Sequence, residues 1–81
     1  MQIDLHGCQR GDAFIEICKA LDECKIMMDD QLDIIHGYHQ GQSLRSFVRS
    51  GRLIKMLRSN GYQVKKINIS DPGKTSFSLT N

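Results

Sequence analysis

Nowhere in these 81 residues does an apolar run approach the roughly 18 side chains needed to cross a bilayer. The opening Met1-Gln2-Ile3-Asp4 has neither the basic start nor the apolar stretch of a secretory leader. A cytoplasmic protein without a membrane partner is therefore expected. There is one proline, no low-complexity tract and no internal repeat, which excludes a Pro-rich linker, a disordered tail and a solenoid. Cysteine is scarce: Cys8, Cys18 and Cys24 are odd in number and form no C-x-x-C pair, so disulfides are not expected. Cys18 and Cys24 lie six apart on a predicted helix and point in different directions, as small buried hydrophobes do. No H-x-x-x-H spacing accompanies His6, His36, His39, Asp4 and Cys8, which argues against a structural zinc site. Gly37-x-x-x-Gly41 lacks the following Lys-Ser/Thr of a Walker A loop.

What is present suits one domain over residues 1–81. The chain is 40% hydrophobic and 25% charged, near globular averages, and long enough for a single two-layer core. Its net charge of +2 hides a strong asymmetry. Residues 1–40 hold three bases and eight acids, net −5, and residues 41–81 hold eight bases and one acid, net +7. Such a division favours oriented approach of a polyanion to the C-terminal half.

Periodicity gives the order of elements. Ile3 and Leu5 alternate with Asp4 and His6, a short strand that Gly7 ends. From Asp12, a suitable N-cap or first-turn acid, Ala13, Phe14, Ile17, Leu21 and Cys24 recur at helical spacing to about Met27. Leu32, Ile34 and Ile35 form a second strand that stops at His36-Gly37. After the loop Tyr38-His39-Gln40-Gly41-Gln42, Leu44, Phe47, Val48, Ile54 and Leu57 mark a second helix, with a bend expected at Gly51 and a stop at Asn60-Gly61. Arg45, Arg49 and Arg52 form a basic stripe beside its apolar one. Tyr62, Val64, Ile67 and Ile69 predict a third strand whose inward phase changes at a bulge near Lys65-Lys66. A turn at Asp71-Pro72-Gly73 then leads to a final antiparallel strand carrying Thr75, Phe77 and Leu79. The result is an α/β (α+β) two-layer sandwich of order βαβαββ.

A strand-helix-strand unit almost always joins parallel strands, so both His-Gly ends fall at one sheet edge, where ligands of open α/β sheets collect. Gly7 and Gly37 let the chain turn away and a phosphate approach closely. Asp4 and His6 share a strand face, so the carboxylate can orient the imidazole. The second helix then offers its N-terminus and Arg45 to an anion.

Asp4-Leu5-His6-Gly7, Ile34-Ile35-His36-Gly37, Gly41, Leu44-Arg45 and Pro72-Gly73 with Thr75-Ser76-Phe77-Ser78-Leu79 together resemble the Smr (small MutS-related) domain family over nearly the whole chain. The resemblance implies a fold like the C-terminal domain of a bacterial translation initiation factor: a four-stranded mixed sheet backed by two helices. It also implies binding to DNA or RNA and endonuclease activity, with Asp4, His6, Gly7, His36, Gly37 and Gly41 as the site. The family's H-G-x-G-x-G loop becomes His36-Gly37-Tyr38-His39-Gln40-Gly41, with His39 in place of the middle glycine. That departure bears on cleavage more than on binding.

The expected function is a nucleic-acid-binding nuclease in which Asp4, His6 and His36 are catalytic and Gly7, Gly37, His39, Gly41, Arg45, Arg49 and Arg52 contact phosphate. A divalent cation, Mg or Mn, is a possible cofactor of cleavage, and the protein is expected to be a monomer. Two alternatives stand beside it: a binding module that uses the same basic helix without chemistry, and a protein-interaction domain that docks a basic partner through its acidic first helix.

Overall fold

A computed structural model describes residues 1–37, 42–67 and 73–79, and for residues 42–44 the backbone alone. The elements are β1 (Gln2–Asp4), α1 (Arg10–Met27), β2 (Gln31–Ile35), α2 (Gln42–Arg49), α3 (Gly51–Ser59), β3 (Val64–Ile67) and β4 (Lys74–Leu79). They form one four-stranded mixed sheet of order β1-β2-β4-β3 with helices packed against it. β1 runs parallel to β2, pairing Gln2, Ile3 and Asp4 with Asp33, Ile34 and Ile35. β4 is antiparallel to both of its neighbours.

Helix α1 supplies the crossover between the parallel strands. Ala13, Ile17, Ala20, Leu21 and Cys24, spaced at three and four, are its buried residues. They meet Leu32, Ile34 and Phe77 on the inner face of the sheet. Asp12 lies in the first turn, where a carboxylate favours the positive helix end, and Gln9 precedes the helix without a side-chain cap. At the other end Met28 takes a left-handed conformation, φ 58°. Its N–H reaches the Lys25 carbonyl and that of Asp29 reaches Cys24, the paired bonds that close a helix C-terminus. The cysteines are free: Cys24 is buried, and Cys8 and Cys18 are half-buried.

The structure changes the expected second helix. Ser50 is extended, φ −76° and ψ 150°, and divides it into α2 and α3 one residue before the expected bend. The Ser50 hydroxyl donates to the Phe47 carbonyl at 2.8 Å, competing with helical continuation, and Gly51 behind it is a weak helix former. The break lets α2 bury Phe47 and Val48 while α3 separately buries Leu53 and Leu57. Asn60-Gly61 ends α3 as expected, with Gly61 at φ 88°.

The bulge expected near Lys65-Lys66 is absent. Val64, Lys65, Lys66 and Ile67 pair in unbroken register with Leu79, Ser78, Phe77 and Ser76. Lys66 shares the inner face with Phe77 but sits on the edge strand, where its ammonium reaches past the sheet to the Arg49 carbonyl at 3.0 Å, the negative end of α2. Tyr62 precedes β3 and donates its hydroxyl to Asp22 at 2.9 Å, tying this segment to α1. Burial and the Asp22 carboxylate push the Tyr62 phenol up to about 12. Ile69 and Asp71-Pro72 lie outside the described residues.

Met28 is 91% exposed, so its left-handed backbone has no packing to offset it. Met28→Gly is expected to raise stability by about 0.5–1 kcal/mol. Urea denaturation checks this, and an unchanged or lower midpoint would show the cap to be unstrained.

Candidate functional site

The parallel strands end together. Beyond β1, the Leu5 N–H still bonds the Ile35 carbonyl at 2.8 Å, after which Gly7 (φ 85°) turns the first strand away and Gly37 (φ 86°) the second. A Cβ at Gly7 would meet nothing within 4 Å, so its backbone conformation, and not space, requires glycine there. The N–H groups of His36 and Gly37 both donate to the Gly73 carbonyl, at 3.0 and 3.2 Å, fastening the end of β2 to the segment that enters β4.

The Asp4 and His6 side chains meet on the outward side of this edge. His6 Nδ1 lies 2.6 Å from Asp4 Oδ1, and the His6 N–H donates to the same oxygen at 3.1 Å. His6 is 64% exposed and Asp4 52%. The bonds from His6 hold the Asp4 carboxyl below its ordinary range. In the tautomer that gives Nδ1–H to the carboxylate, Nε2 of the exposed ring is the nitrogen able to accept a proton, the arrangement of a general base.

His36 behaves differently. Register places it level with Leu5, on the inner face, and it has no exposed surface. Nδ1 is 3.1 Å from the Gly37 carbonyl and Nε2 is 2.9 Å from Thr75 Oγ1. Arg49 Nε donates to that same hydroxyl at 2.9 Å, and Arg49 Nη2 donates to the Lys74 carbonyl at 3.1 Å. One proton assignment suits these contacts together. Arg49 donates to Thr75, which leaves the Thr75 hydroxyl proton for Nε2 and Nδ1–H for the Gly37 carbonyl. His36, expected among the catalytic residues, is thus placed beneath the edge, with its ring against Thr75 and the Gly37 carbonyl.

The basic stripe is likewise divided. Arg45 is half-buried on α2, Arg49 is half-buried and holds β4, and Arg52 is exposed on α3, beyond the break. His39 and Gly41 lie outside the described residues. Among those described, no group of three or more His, Cys, Asp or Glu is placed to hold a metal ion. Nor is any described helix long and apolar enough to cross a membrane.

Two participants escape a reading of motifs. Thr75 is the hub of the buried network; its signal is a hydroxyl at an inward position of a strand that continues with Phe77 and Leu79. Arg10 lies with its guanidinium carbon 5.9 Å from the centre of the Phe47 ring, a contact between distant segments that no local pattern announces.

Comparison with known proteins agrees with this geometry. Residues 3–74 match the Smr domain family. The chain is 33% identical over 64 residues to a protein named Endonuclease MutS2 from Finegoldia magna, covering 75% of this chain. It spans only 8% of that relative's length. The crystal structure of the Smr domain of Thermus thermophilus MutS2 has the same fold, with a TM-score of 0.76 and 24% identity, covering 99% of this chain and 98% of that one.

Two outcomes follow from the site. Thr75→Val keeps the shape but leaves Arg49 and His36 without their shared partner, and is expected to cost about 1–3 kcal/mol in denaturation. Wild-type stability would show that the network contributes nothing. The Asp4 carboxyl, followed by NMR, is expected to titrate below ordinary carboxylates and to move up in His6→Ala; an unmoved midpoint would dissociate the pair.

Proposed function

The chain belongs to the Smr domain family, and from that premise we propose that it binds DNA or RNA at the β1/β2 edge and cleaves its phosphodiester bonds. The observation that carries the reading is the exposed Asp4–His6 pair, 2.6 Å apart, at the edge where both parallel strands end. A relative named as an endonuclease supports it.

In this reading Gly7 and Gly37 leave the edge low enough for a phosphate to approach. Arg45 supplies positive charge to the nonbridging oxygens. His6 Nε2 removes the proton from the attacking oxygen as it bonds to phosphorus, and Asp4 holds the ring and stabilises the imidazolium. The bond from phosphorus to the leaving oxygen breaks, and that oxygen takes up a proton. His36 acts from below: with Thr75 and Arg49 it holds α2 against the end of β2. His39 and Gly41 belong to the proposed phosphate loop by their place in the sequence.

Binding without cleavage is a second reading. The burial of His36 favours it, because only one of the two strand-end imidazoles described is left to exchange protons with a substrate.

The test is incubation with labelled single-stranded, nicked and branched DNA and with RNA, with and without Mg or Mn. His6→Ala is expected to reduce cleavage by about 10²–10⁴-fold while changing affinity only a few-fold. Product formed undiminished by His6→Ala removes His6 from the reaction. Binding by the unmodified protein with no product on any substrate selects the second reading.

A further inference from the structure

Three residues after Gly7, the start of α1 faces the α2/α3 junction across an open cleft of about 410 Å³. Arg10, Ser46, Phe47, Ser50 and Arg52 line it, and none is acidic. Phe47 is only 8% exposed and so is a fixed platform, and the Arg10 guanidinium rests over its ring. A guanidinium lying within about 6 Å of a ring centre keeps N–H groups to spare, which can grip two oxygens of one anion. Holding the side chain in advance also lowers the entropy lost when an anion binds. Arg52 reaches the same cleft because the break at Ser50 takes it out of the row of Arg45 and Arg49. Among the described residues neither Arg10 nor Arg52 forms a salt bridge, so two guanidinium groups share one concavity without a counter-charge. The Ser50 hydroxyl is spent on the Phe47 carbonyl and does not cap α3, whose first-turn N–H groups add donors at the rim.

We propose that this cleft is a phosphate subsite, built by Arg10 on Phe47 together with Arg52, for the backbone of the same nucleic-acid strand that crosses the β1/β2 edge. The proposal rests on the nucleic-acid reading above, though not on cleavage. Nucleic acid is favoured over an acidic peptide by continuity. Gly7 and Arg10 are three residues apart, a chain reach of at most about 11 Å, so one strand can occupy the edge and the cleft together. The cleft is also roomier than a single anion needs, as a phosphate carrying its flanking sugars requires. Arg10 recruits the acidic first half of the chain to the positive surface of the second.

Affinity for a short fluorescein-labelled oligonucleotide, followed by anisotropy across a salt series, tests this. Arg10→Gln/Arg52→Gln is compared with Lys19→Gln/Lys55→Gln, which removes the same charge from exposed positions outside the cleft. The cleft pair is expected to weaken binding by about tenfold or more and to lower the salt slope by about two, with little change in the control pair. Arg10→Lys, which keeps charge but loses the fork, is expected to recover only part of the loss. Wild-type affinity and slope in the cleft pair, or an equal loss in the control pair, overturns the subsite and leaves the β1/β2 reading standing. No binding by the unmodified protein overturns both. Displacement by a polyglutamate peptide as readily as by unlabelled oligonucleotide reassigns the cleft to acidic peptides and overturns the proposal.

Discussion

One hydroxyl, that of Thr75, holds the site's frame. It accepts from Arg49 and lies within hydrogen-bonding distance of His36, so α2, the end of β2 and the start of β4 meet at a single oxygen. Both partners are long or polar side chains brought out of water, and each would be costly there without it. The bonds of His36 and Gly37 to the Gly73 carbonyl add a backbone tie at the same place. The position of α2 relative to the strand ends, and with it the position of Arg45 and of the break before α3, depends on this junction.

The two His-Gly ends look alike in sequence and have opposite fates, and strand parity explains it. His6 has the parity of Asp4 and faces out; His36 has the parity of Ile34 and faces the core. The first is an exposed imidazole with a carboxylate on one nitrogen. The second is a buried donor and acceptor that organises the edge from within. A short motif repeated at two strand ends thus divides into an exposed imidazole and a buried one.

Sequence alone places both imidazoles in one site; the signal that separates them is that Ile34 belongs to an apolar run whereas Asp4 does not. The parallel pairing of β1 with β2 and the order of elements along the chain follow from periodicity and connection rules. Other features depend on packing between distant segments. The break at Ser50 is decided by which faces of α2 and α3 the sheet accepts, and the even register of β3 by Lys66 reaching past the edge to Arg49. No local pattern reports Arg10 lying on Phe47 or the meeting of Arg49 with Thr75. Arginines that seem equivalent along a helix therefore separate into a structural clamp, Arg49, and a cleft residue, Arg52.

The central claim is that nucleic acid meets this chain where β1 and β2 end. Backbone amide shifts followed during titration with a short oligonucleotide test it directly. The account predicts that the largest changes fall on His6, Gly7, Gly37, Arg10 and Arg45, with Gln31, Asp33 and Ser78, toward the other end of the same strands, little affected. Changes concentrated at that far end of the strands, or on the acidic middle of α1, would contradict it.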